Sequence, residues 1–144
     1  MADLFSTEAA GLLSRPVVKP SVGAYGGRMR RYRATITLAA QATTDNILLV
    51  ILPAGSVYAV GMLTASVTLA TAVIAIGTNK VHASNGQLRA AATFTAVDTP
   101  TPFGLAAALG GAALTADTSI YLTIATAALP GAGTMVVDLM VTNG

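Results

Sequence analysis

RYRATITL, residues 31–38, decides the fold: Tyr32, Ala34, Ile36 and Leu38 fall on one side of a two-residue alternation, and Arg31, Arg33, Thr35 and Thr37 on the other. A chain that alternates in this way is a strand with one face buried and one face wet, the pattern of an antiparallel sheet. Moving outward, ILLVIL (residues 47–52) is a short, wholly apolar run closed by Pro53, Ala54 and Gly55. Residues 57–69 and 72–77 follow with Val67, Leu69, Val73 and Ile76 among their apolar positions. These three runs read as central strands. After Gly77 comes TNKVHASNGQ with the turn dipeptide Asn85-Gly86, then the strand-like AAATFTAV, which DTPTPFG (residues 98–104) breaks. AAALGGAA (residues 106–113) reads as a loop because of its paired glycines. Finally SIYLTIATA and TMVVDLMVT flank ALPGAG (residues 128–133), which reads as the turn of a hairpin.

About seven or eight short antiparallel strands with uneven, partly long connections predict an all-β chain folded as a jelly-roll-like β-sandwich. The sandwich is expected over residues 28–144. Residues 1–27 are of a different kind: Pro16 and Pro20 stand four apart among several glycines with no period, so this segment reads as an extended N-terminal arm. Within it DLFSTEAAGLL has one apolar side, Leu4, Phe5, Leu12 and Leu13, and could form one or two helical turns.

The chain of 144 residues is 53% hydrophobic and only 10% charged, far under the roughly 25% charged usage of ordinary soluble domains. A surface so poor in charge implies that lattice packing, oligomerisation or a membrane covers part of it. Residues 46–79 carry no charge at all, which raises a membrane-spanning alternative. Pro53, Gly55, Ser56 and Gly61 interrupt that run, and its Thr, Val and Ile content favours strands. The N-terminus has Asp3 and Glu8 where a signal peptide needs basic residues, so export is not expected. There is no cysteine, hence neither a disulfide framework nor a thiolate metal site.

Against this background four of the eight basic residues, Arg28, Arg30, Arg31 and Arg33, fall within six positions, directly after Gly26 and Gly27. Arg31 and Arg33 share a strand face, so the cluster can grip carboxylates from several directions and reads as a protein-interaction anchor, the alternative being solubilising charge with no specific partner. Nucleic acid is not the expected partner, since the net charge is only +2 and Tyr25 and Tyr32 are too few for a stacking platform. Asp138 sits mid-strand on the face of Val136, Met140 and Thr142. Two readings stand for it: a solvent-facing residue on the polar side of a sheet, or an inter-subunit partner for an arginine such as one of this cluster.

Catalysis has little to work with. His82 is the only histidine; a triad of Ser84, His82 and Asp98 or Asp117 lacks the Gly-x-Ser-x-Gly turn that would present a nucleophile. No HExxH, EF-hand or phosphate-loop spacing occurs. The expected protein is therefore not an enzyme and takes no cofactor or metal.

YRATITLAAQ, AAATFTAVDTPTPFG and TADTSIYLTIATAALPGAGTMVVDLMVTN together resemble the small head decoration proteins (cement, or auxiliary capsid, proteins) of tailed bacteriophages, over most of the chain from about Tyr32 onward. The resemblance implies an all-β domain on the outer surface of an icosahedral capsid, commonly a homotrimer, bound to the major capsid protein and stabilising the shell. The implied location is the virion, after synthesis in the host cytoplasm. A membrane-associated protein, or a generic β-sandwich adhesion or carbohydrate-binding module, remains as an alternative.

Overall fold

The computed structural model describes residues 15–17, 27–109 and 112–143. The helical turns expected near the N-terminus and nearly all of the expected arm lie outside the described residues. Within them the chain forms eight strands: β1 (Met29–Thr37), β2 (Asn46–Leu52), β3 (Ser56–Ala65), β4 (Val73–Gly77), β5 (Arg89–Thr93), β6 (Thr101–Phe103), β7 (Thr118–Ala125) and β8 (Thr134–Asn143). One short 3-10 turn, His82–Ser84, interrupts the β4–β5 connection. The charge-free run 46–79 is divided among β2, β3 and β4, and no described helix is long and apolar enough to cross a membrane.

Two four-stranded antiparallel sheets face each other, one in the order β1-β8-β3-β6 and the other β2-β7-β4-β5. The pairings are first with last, second with second-last, and so inward to the β4–β5 hairpin. This is the pairing order of a jelly roll, a long hairpin wrapped so that successive pairs fall alternately in the two sheets. Hydrogen bonds between the connections follow the same path. The β1–β2 and β7–β8 connections run side by side, with Leu38 N donating to Gly133 O, Ala40 N to Pro130 O and Leu129 N to Gln41 O. Gly55 N donates to Leu114 O and Leu114 N to Ser56 O, joining the β2–β3 and β6–β7 connections. Leu69 N donates to Phe94 O and Asp98 N to Ala65 O, joining β3–β4 to β5–β6.

The core lies between the sheets and is supplied by alternate residues. Ala34 and Ile36 of β1, Leu63 of β3, Ile74 and Ile76 of β4, Ile120, Leu122 and Ile124 of β7, and Met135, Val137, Leu139 and Val141 of β8 are all buried. Leu38, Leu69 and Leu129, from three connections, plug the ends. The period-two reading of residues 31–38 and of TMVVDLMVT therefore gives the correct inward faces.

Three expectations change. ALPGAG is no hairpin turn, because β7 and β8 belong to different sheets. Leu129 is buried and the segment is bonded to residues 38–41, so it bridges the sheets rather than folding one back on itself. DTPTPFG contains β6, which tolerates Pro102 because a sheet edge has one side that needs no donor. And β2 is an edge strand, whereas β3 and β4 are central as expected.

Gly61 of β3 faces Phe103 of β6 so closely that a Cβ at Gly61 would overlap the ring, which fixes the short edge strand against its neighbour. Gly61→Ala is expected to destabilise the fold by about 1–3 kcal/mol through overpacking, seen as a lower thermal midpoint. Adding Phe103→Leu should recover part of that loss; equal stability of Gly61→Ala and the wild type would show that the ring does not hold β6.

Candidate functional site

β1 is the outer edge of its sheet and pairs with β8 from Met29 opposite Thr142 to Thr37 opposite Thr134. This register sets Arg33 directly opposite Asp138, and Arg31 opposite Met140, on the face turned away from the core. Arg33 Nε donates to Asp138 Oδ1 and Nη2 to Oδ2, each at 2.8 Å. The pair is thus bidentate, the geometry that best matches a guanidinium to a carboxylate. Its two members differ in exposure: the Arg33 side chain is 50% exposed, whereas that of Asp138 is 13% exposed, between Arg33 on β1 and Met62 on β3.

The hydrogen bonds from Arg33 lower the Asp138 pKa beneath the usual carboxylate range, against the opposing effect of burial; the charges of Arg33 and Arg31 add to the lowering. The same bonds raise the pKa of Arg33. Asp138 therefore finds its arginine within its own chain, on the cross-strand neighbour. Asp138 is buried at the residue level rather than freely solvated, and its two oxygens are occupied before any second subunit is considered.

That pairing leaves Arg28, Arg30 and Arg31. All three are exposed, and none forms an ion pair or hydrogen bond among the described residues. Among the described residues the cluster consequently divides into one guanidinium held in an ion pair and three outside any ion pair, gathered at the start of β1 beside exposed Met29.

The residues considered for catalysis are not brought together. His82 Nδ1 lies 3.0 Å from Thr123 Oγ1 on the outer face of β7, and Asn85 Nδ2 donates to the same hydroxyl and to the Ala75 and Tyr121 carbonyls. His82 thus helps seat the β4–β5 connection on its sheet. Asp117 accepts a hydrogen bond from the Ala54 amide, and neither it, Asp98 nor Ser84 bonds to His82. Among the described residues no group of three His, Asp or Glu could hold a metal ion.

Two features escaped the reading of the sequence. Arg89 is half-buried without a carboxylate, donating from Nη1 to Ile74 O and Ala92 O and from Nη2 to Thr93 O. It caps carbonyls beside the irregular register between Ile74 and Ile76, and burial lowers its pKa. Its signal in the sequence was a single charge at the start of an alanine-rich strand. The second feature is the exposure of Leu48 and Ile51 on β2, which a wholly apolar run conceals.

No family model matches the chain, and no curated protein matches it by sequence. Its fold does match solved structures. A chain of the capsid of Ralstonia phage GP4 superposes with a TM-score of 0.66 at 21% identity, over 82% of this chain and 86% of that one. The fold is one that phage capsids use. A chain of the cyanophage Pam1 capsid asymmetric unit gives 0.63 at 17% identity, over 83% and 88% of the two chains. A chain of the acid-stable capsid of Helicobacter pylori bacteriophage KHP30 gives 0.55 at 13%, over 80% and 93%. Each superposition covers the length of a whole domain rather than a shared hairpin.

Because the folded pKa of Asp138 lies below its unfolded value near 3.9, its ion pair contributes stability that is fully present above that value and is lost as pH falls through the folded pKa. Asp138→Asn should therefore have a lower thermal midpoint than the wild type at neutral pH, and the gap should close as pH drops below about 4. Added salt should narrow the gap as well, since half of the Arg33 side chain is in solvent. A gap that does not change between neutral and acid pH would mean the pair contributes nothing.

Proposed function

We propose that this chain is a non-enzymatic structural protein of a phage virion, one that decorates the outer surface of the capsid as a homo-oligomer and cements it. The support is the fold held in common with chains of three phage capsids, joined to a surface chemistry suited to standing on a shell. The observation that carries the reading is the set of exposed guanidiniums, Arg28, Arg30 and Arg31, at the start of β1, which form no ion pair among the described residues. In an isolated chain three such charges repel one another. Carboxylates on the major capsid protein or on a neighbouring copy would relieve that repulsion, and planar guanidiniums bind carboxylates with two parallel bonds.

Arg33 takes a different part. Held by Asp138, it fixes the strand from which Arg31 projects, so the ion pair positions the anchor instead of forming it. Residues 1–27 lead directly into this corner, and in this reading they act as a tether to a neighbour, in a homotrimer or other homo-oligomer, or to the shell.

The test is binding of the purified chain to capsid particles lacking it, as salt is raised. Arg28→Ala, Arg30→Ala and Arg31→Ala combined should leave the fold intact and weaken binding roughly 30-fold or more, as expected when partly desolvated charge pairs are broken. Wild-type binding should itself decline with salt. Binding by the triple variant equal to wild type at every salt concentration would remove the arginines from the contact, and a loss seen only toward DNA would replace the capsid by nucleic acid as their partner.

A further inference from the structure

β2 is bonded to β7 along one side only, and among the described residues no backbone hydrogen bond meets its other side. Such an edge is a template for another strand, and proteins usually guard it with charge, proline, shortness or a covering segment. The other three edges show these devices. β1 carries Arg30, Arg31 and Arg33; β6 has three residues, one of them Pro102; β5 has five, begins with Arg89 and pairs irregularly.

β2 has neither charge nor proline in its seven residues, Asn-Ile-Leu-Leu-Val-Ile-Leu. Its one irregularity, a register shift between Leu48 and Val50, sets Leu48 opposite Tyr121 and Ile51 opposite Ser119. Tyr121 and Ser119 share a face of β7, so Leu48 and Ile51 emerge together on the outer face, 49% and 55% exposed. The strand thus offers unpaired backbone along its free side and two large apolar side chains next to it.

We propose that β2 is a self-association edge, where β2 of a second copy of this chain adds antiparallel about a two-fold axis and joins two four-stranded sheets into one of eight. The unpaired backbone asks for a strand, and Leu48 and Ile51 ask for an apolar one. Among the described edges only β2 itself has that length without charge or proline. Self-pairing costs no like-charge repulsion here, whereas β1 against β1 would oppose arginines. An axis between Leu49 and Val50 sets Leu48 against Ile51 of the partner subunit on the outer face and Ile47 against Leu52 of the partner subunit on the inner face, so that apolar side chains meet across the seam. A two-fold contact closes on an even number of chains: a dimer, or a hexamer where a separate three-fold contact is also present. The proposal specifies one contact of the homo-oligomer in the reading above, and its test uses no capsid.

The experiment measures the mass of the purified full chain by light scattering after size exclusion, at low and high salt. It compares wild type with Leu48→Lys/Ile51→Lys and with Leu48→Thr/Ile51→Thr, which retains strand propensity, each checked for folding by circular dichroism and melting. The expected result is an even-numbered wild type whose mass does not change with salt, and folded β2 variants of half that mass. A wild type of one or three chains, or a folded β2 variant of wild-type mass, overturns the proposal. Should both variants unfold, hydrogen exchange of the wild type decides: β2 amides that slow as protein concentration rises support the contact, and concentration-independent exchange refutes it. Failure of capsid binding with halving of mass intact would sink the cement reading and leave this one standing.

Discussion

A strand buried on one face permits a single register, and β8 imposes that constraint on half of the sandwich. Its inward residues, Met135, Val137, Leu139 and Val141, have no exposed surface. A slip of one residue would turn this apolar row to solvent and push Asp138 into the core without a partner. β8 pairs with β1 on one side and β3 on the other, so both neighbours inherit its register. The Arg33–Asp138 pair marks the same alignment on the outer face, since its two parallel bonds form only when the residues stand opposite each other. Inner packing and outer ion pair therefore select one arrangement, and that arrangement determines where Arg31 points.

How much of this could be read from the chain depends on the range of the interaction. Alternation is local, so the faces of β1 and β8 were legible in RYRATITL and TMVVDLMVT. Whether a strand is central or at an edge depends on partners distant in sequence, and ILLVIL has the same letters in either place. Likewise ALPGAG has good turn chemistry, yet turn chemistry does not say whether the chain returns to the same sheet or crosses to the other. The crossing is set by Leu129 entering the core and by bonds to residues 38–41. The arginine cluster was conspicuous, but the pairing that sets Arg33 apart from the other three was not, because Arg33 and Asp138 are 105 residues apart. The sequence made Asp138 a candidate partner for arginine and could not tell that the arginine belonged to its own chain.

Scarcity of charge gives the surface its character. With so few ionic groups, the three exposed guanidiniums at the start of β1 and the uncharged edge of β2 contrast sharply. A contact through the arginines weakens with ionic strength, because exposed charges are screened over about 8–10 Å at physiological salt. A contact through β2 relies on backbone bonds and apolar burial, which salt does not screen. A chain with both can associate with itself and with a charged shell by separable means, so that one contact can be disrupted while the other persists.

The most direct measurement of the central claim is cryo-electron microscopy of capsid particles incubated with the purified chain, at a resolution that separates strands. The expected map shows a two-sheet density bound to the outer shell, with the corner formed by Arg28, Arg30 and Arg31 against acidic groups of the capsid or of an adjacent copy. Particles without added density, or density that meets the shell through the β4–β5 connection with the start of β1 free in solvent, would contradict it.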